Sequence, residues 1–67
     1  MSVAKVIEIS SESSKSFEDA IENGIRKAGE TVADIRNAWV QDQEVTVKNG
    51  KVDGYRVKLK VTFALKS

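Results

Sequence analysis

Arg56, Lys58 and Lys60 alternate with Val57, Leu59 and Val61 in the run Tyr55-Arg56-Val57-Lys58-Leu59-Lys60-Val61-Thr62-Phe63-Ala64-Leu65. In an extended chain, this spacing lines up three cations on one face and turns the apolar side chains to the other. The Arg56 guanidinium is a planar donor fork for a carboxylate, a phosphate or a ring carbonyl. Trp39 is the only indole in the chain, a flat surface on which a cation or a planar ligand can stack. Glu8, Asp42 and Glu44 are hard oxygen donors of the kind calcium takes, but they lack the spacing of a dedicated calcium loop; solvated carboxylates or salt-bridge partners are the plainer use. Covalent and acid–base chemistry has little to draw on. The chain has neither His nor Cys, and it shows no Gly-rich phosphate loop and no paired acids in a fixed motif, so it reads as a binding or structural protein, not an enzyme.

Global charge does not select a partner. Eleven Lys and Arg stand against ten Asp and Glu in 67 residues, a net charge of +1. No polybasic block is present to make nucleic acid or an anionic membrane the expected partner. No apolar run at the N-terminus resembles a signal peptide and none is long enough to span a bilayer, so a cytoplasmic location is expected. The length implies one domain, 1–67. Ordering it costs on the order of 100 kcal/mol at roughly 1.5 kcal/mol per residue. A core this small barely offsets that cost. Without Cys for a disulfide, or Cys and His for a structural zinc, self-association is the remaining source of buried area. A homo-oligomer is therefore expected.

The elements that must position these groups can be traced by pattern. Residues Val3 to Ser10 form a β-type run, followed by the polar stretch Ser10 to Ser16. Ser16 with Asp19 three residues later comes close to a capping box, and from Phe17 onwards apolar or small residues fall at 17, 20, 21, 24, 25, 28, 32 and 35, one face of a helix. Gly24 on that face suggests close approach to a sheet. Strand character returns from Asn37 to Lys48, and Asn49-Gly50 marks a type I′ hairpin turn. A two-residue turn there sets Lys48 opposite Lys51, Glu44 opposite Tyr55, Val40 opposite Leu59 and Ala38 opposite Val61. On the other face Gln43 would meet Arg56, Gln41 would meet Lys58, Trp39 would meet Lys60 and Asn37 would meet Thr62. The fold class expected is α+β: a βαββ chain with a three-stranded antiparallel sheet, order 2-3-1, and one helix packed on one face. The far face would carry Trp39, Val45, Val47 and Val52 as subunit contacts, because an exposed Trp forgoes a large burial.

Lys5-Val6-Ile7-Glu8-Ile9, Ser16-Phe17-Glu18-Asp19-Ala20, Arg26-Lys27-Ala28-Gly29-Glu30-Thr31, Ala38-Trp39-Val40 and Tyr55-Arg56-Val57-Lys58-Leu59-Lys60-Val61-Thr62-Phe63 occur in an order and spacing that resembles the dodecins from end to end. These are small βαββ proteins that assemble into hollow homododecamers, and their best-known members stack flavins in pairs between subunits. The resemblance implies a small-molecule ligand of flavin type (FMN, FAD or riboflavin) held by Asn37, Trp39, Gln43, Arg56 and Lys58. Flavin-binding dodecins carry a stacking Trp on the second strand and a hydrogen-bonding Gln on the third, where this chain has Asn37 and Arg56. Trp39 lies two residues beyond, on the same face. A displaced stack on a ligand and a cation–π pair with Lys60 at a subunit contact are its two alternatives. The surrounding residues are more similar to the flavin-free branch of the family, one member of which is described as calcium-binding. The expected function is thus a homo-oligomeric shell for a flavin-type ligand with weak or lost flavin affinity; the alternative is a flavin-free structural or calcium-binding dodecamer, with Glu8, Asp42 and Glu44 as the weak metal set.

Overall fold

Strand alternation, a capped amphipathic segment and a hairpin turn produce four elements in a computed structural model that describes residues 3–65; the ends of the domain expected over 1–67 lie outside the described residues. They are β1 (Val3–Ser13), α1 (Phe17–Ala28), β2 (Ile35–Lys48) and β3 (Lys51–Leu65). The sheet order is β1-β3-β2 and both pairings are antiparallel. This is the expected βαββ fold, with the long hydrophobic–cationic strand β3 at its centre.

β1 runs three residues further than the expected Ser10. β3 continues past Val57 and offers the serine-rich segment a ladder, pairing Ser11 with Val57, Glu12 with Arg56 and Ser13 with Tyr55. Tertiary pairing overrides the weak strand preference of serine here. The helix starts where the cap predicts: the Ser16 hydroxyl accepts from the Asp19 backbone N–H at 2.9 Å. The Asp19 carboxylate in turn accepts from the Ser13 hydroxyl at 2.6 Å and from the Asn23 amide at 3.0 Å. The helix ends at Ala28, not near Ile35 as its apolar periodicity suggests. Gly29 caps it, and Asp34 takes a left-handed φ of 63°, turning the chain into β2. Ile35 therefore reaches the core from a strand, where its β-branched side chain fits better.

The core is Ala20, Val57, Leu59 and Val61, fully buried, flanked by Ile7, Ile9, Phe17, Ile21, Ile25, Ile35 and Ala38. A Cβ on Gly24 would stand 3.0 Å from the Ser11 Cβ and 3.4 Å from a Leu59 methyl, so α1 approaches the sheet as closely as its glycine allows. A helix of twelve residues spans about 18 Å, while a strand of fifteen reaches about 50 Å. The β2–β3 hairpin consequently projects beyond the helix as an arm, and the chain measures 52 × 19 × 13 Å.

The hairpin tip is as expected, with Asn49 and Gly50 at φ of 53° and 76°; Lys48 faces Lys51. The register beyond it is not uniform. Asp53 on β3 and Gln41 on β2 are left unpaired, so the block between them is displaced by one residue, and the two offsets cancel before Val40 meets Leu59. The expected partners hold at Asn37–Thr62, Ala38–Val61, Trp39–Lys60 and Val40–Leu59, but Glu44 faces Arg56 instead of Tyr55, Asp42 in place of Gln41 faces Lys58, and Gln43 faces Val57 instead of Arg56. A third irregularity lies at Arg36, between Ile35 and Asn37.

Paired residues share a face. Val45, opposite Tyr55, and Val47, opposite Val52, therefore project on the helix side of the sheet, not on the far side with Trp39 as uniform alternation suggests. They remain exposed because α1 lies over β1 and β3 and the arm extends past it.

Candidate functional site

Removing the displaced block from simple alternation changes the chemistry of the far face. Three cross-strand rows now read Glu12–Arg56–Glu44, Ser10–Lys58–Asp42 and Glu8–Lys60–Trp39, with β3 supplying the central residue of each. The cationic row is flanked by four carboxylates. Arg56 donates from Nε to Glu12 Oε1 at 2.6 Å and from Nη1 to Glu44 Oε1 at 3.1 Å. Both carboxylates hold the guanidinium pKa above its ordinary value, the hydrogen bond that Glu12 accepts most strongly. All three side chains are well exposed, so the clamp orients Arg56 across all three strands more than it stabilises the sheet.

Lys60 Nζ lies 5.5 Å from the centre of the Trp39 ring, the cation–π pair that their positions predict. Trp39 is nevertheless 63% exposed in the single chain. A hollow of about 190 Å³ opens over the segments Asp42–Glu44 and Arg56–Lys58. A pocket for a drug-sized planar ligand needs about 300 Å³ or more. This hollow of one chain therefore does not enclose a flavin ring.

The structure divides the expected ligand set. Gln43, Arg56 and Lys58 all border the hollow, although Gln43 pairs with Val57 and so alternates to the opposite face from Arg56; Trp39 lies beside Lys60, one row away. Asn37 faces Thr62, six positions along β3 from Arg56, or about 20 Å. No single ring can touch both Asn37 and Arg56 of one chain. The metal set is divided as well: Glu8 lies on one outer strand, Asp42 and Glu44 on the other, and among the described residues no group of three or more His, Cys, Asp or Glu converges on a point. A calcium site of six to eight oxygens therefore does not fit within one chain. Glu12 is the site residue that sequence patterning missed. Its signal was the parity of Glu8, Ser10 and Glu12, which becomes readable only once the serine-rich segment is taken as strand.

The βαββ chain, with a central strand of alternating charge, an uncovered sheet face and a projecting hairpin, defines a small sheet-and-helix subunit with a polar open face. The family model for dodecin matches residues 3–66, and the chain belongs to the dodecin family. It is 39% identical over 66 residues to the calcium dodecin of Mycobacterium tuberculosis, a match covering 98% of this chain and 93% of that one. A crystal structure of the calcium dodecin of that organism superposes with a TM-score of 0.82 at 40% identity, covering 96% of this chain and 91% of that one. The dodecin of Streptomyces davaonensis gives a TM-score of 0.93 at 26% identity, covering 98% and 97%. A point variant of the Thermus thermophilus dodecin gives 0.94 at 28%, covering 100% and 98%. Backbone likeness is thus higher with the latter two, while residue identity is higher with the calcium dodecin. Among the described residues no helix is long and apolar enough to cross a membrane.

Proposed function

We propose that this protein is a homododecameric shell of the flavin-free kind that binds calcium between its subunits. The observation that carries this reading is the Glu12–Arg56–Glu44 clamp. The position that a flavin-binding dodecin gives to a ring-edge Gln is here a guanidinium already held by two carboxylates, and the stacking position is Asn37. The 39% identity to a calcium dodecin supports the same choice. Within the three cross-strand rows, Glu8 and Asp42 are the carboxylates outside the Arg56 clamp, each with a lysine across the ladder. They are the proposed calcium ligands, and carboxylates or carbonyls from a neighbouring subunit complete the coordination. The valines of the arm, Val45, Val47 and Val52, together with Trp39 are the proposed subunit contacts.

Light scattering on the eluting protein is expected to give the mass of twelve subunits and a colourless peak. Calorimetric titration of that assembly with calcium chloride is expected to show binding that is lost in the Glu8→Gln, Asp42→Asn double variant. A compact monomer stable at micromolar concentration overturns the assembly; an intact assembly that is silent to calcium overturns the calcium reading alone.

Trp39 supplies a second readout. Its 63% exposure in one chain should fall on assembly, so its emission is expected to be blue-shifted in the native oligomer, and Trp39→Ala is expected to weaken assembly. Emission like that of free Trp from the intact oligomer removes Trp39 from the subunit contacts.

A further inference from the structure

The chain contains two Asn-Gly pairs, Asn23-Gly24 and Asn49-Gly50, and they stand in opposite environments. Such a pair can cyclise, because glycine has no side chain to shield its amide nitrogen from the neighbouring asparagine carboxamide. We infer that Asn49 is a site of spontaneous deamidation in the folded protein and that Asn23 is protected from it.

The reaction needs only water. The deprotonated backbone nitrogen of Gly50 attacks Cγ of Asn49, the new N–Cγ bond closes a succinimide, and the Cγ–Nδ2 bond breaks with loss of ammonia. Water then adds to either ring carbonyl. Opening on one side gives aspartate; opening on the other gives isoaspartate, in which the former side-chain carbon continues the backbone.

At Asn23 the fold blocks each requirement. The pair lies inside α1 (Phe17–Ala28), where the Gly24 N–H belongs to the helical ladder and is not free to attack. Gly24 is buried against Ser11 and Leu59. The Asn23 carboxamide is held at both ends, donating to Asp19 at 3.0 Å and accepting from Arg26 at 2.9 Å. Attack there requires the helix to open.

At Asn49 each constraint is absent or weak. In the single chain the residue is exposed at the tip of the arm, beyond the proposed contacts Val47 and Val52, and no heavy atom other than those of its chain neighbours lies within 4 Å of the point where a Gly50 Cβ would stand. In a two-residue turn the closing bond runs between residues 48 and 51, leaving the Gly50 N–H outside the ladder. The αL conformation of Asn49 must open before Gly50 can reach Cγ, but this opening is local. Lys48 and Lys51 face each other across the last rung, and like charges in that position favour fraying.

The two products act differently on the arm. Aspartate at 49 places a carboxylate between two opposed lysines and relieves their repulsion. Isoaspartate lengthens a turn that admits only two residues, loosening the rungs that carry Val47 and Val52.

The test is to incubate the native protein at mildly alkaline pH and follow both pairs by peptide mapping and mass spectrometry, with the chain in denaturant as reference. In the native protein Asn49 is expected to convert at least about tenfold faster than Asn23, the ratio given by a difference of about 1.4 kcal/mol in opening free energy. In denaturant both are expected to convert. Asn49→Gln should abolish the native product. Equal or reversed native rates, or no conversion at Asn49 under conditions where the denatured chain converts at both, overturn the inference.

Discussion

Asn37→Trp combined with Arg56→Gln is expected to raise affinity for FMN or riboflavin by about two to four powers of ten, the sum of a restored ring stack worth roughly 1 to 3 kcal/mol and a restored edge contact of similar size. Gln presents both a donor and an acceptor to a ring edge, whereas a guanidinium can only donate. Here its donors already serve Glu12 and Glu44. Releasing the two carboxylates is tolerable because both are more than half exposed and water replaces the lost contacts. The three rows around Arg56 also argue against phosphate as a compensating handle for the unmodified protein: within them Glu8, Glu12, Asp42 and Glu44 outnumber Arg56, Lys58 and Lys60. Because Asn37 and Arg56 of one chain stand about 20 Å apart, the gain requires contributions from two subunits and should vanish when the assembly is dissociated. Flavin fluorescence quenching measures it. Submicromolar flavin binding by the unmodified protein would falsify the premise that these two positions forfeit the site.

Leu59→Ala is expected to lower stability by about 2 to 5 kcal/mol. Leu59 is fully buried at the centre of the middle strand, with Val57 and Val61 on the same face and Val40 and Ile9 as its cross-strand partners. The fully buried cluster has only four members, so the void removes a large part of it. Such a loss approaches the whole stability of a small domain. Urea unfolding at fixed protein concentration checks it, since assembly makes the midpoint concentration-dependent. Lys58→Ala, one position away on the exposed face, should shift the midpoint little. A Leu59→Ala shift below about 1 kcal/mol would place the core elsewhere.

The difference between these two neighbours shows what the sequence made legible. Strict alternation in Tyr55–Leu65 identified the buried and exposed sets of β3, and the Asn-Gly pair identified the turn, because both signals are local and have a single geometric solution. The helix end was less visible: Val32 and Ile35 keep the helical period although the chain has already turned at Gly29 and Asp34. Period alone does not distinguish a helix from a turn that returns apolar residues to the same core. Bulges leave no such signal at all. Gln41 and Asp53 are ordinary polar residues in polar surroundings, and their effect appears only in which side chains meet across the ladder. Uniform alternation consequently puts Gln43, Val45, Val47 and Val52 on the wrong face and hides the Glu12–Arg56–Glu44 clamp. Subunit contacts lie further from view, since one chain shows which apolar groups are uncovered but not what covers them.

The two cancelling bulges give the hairpin a property that fully paired strands lack. A residue deleted from a regular strand reverses the facing of everything beyond it, turning buried side chains to solvent. Here Gln41 and Asp53 already stand outside the ladder, so either can be lost while every existing rung is kept, and a deletion between Asp42 and Thr46 can be absorbed by drawing Gln41 into line before Val40 is reached. The charged block of the hairpin is thus bracketed by spare residues, and a lineage of such chains can vary in length at these two points while the core strand beneath keeps its frame.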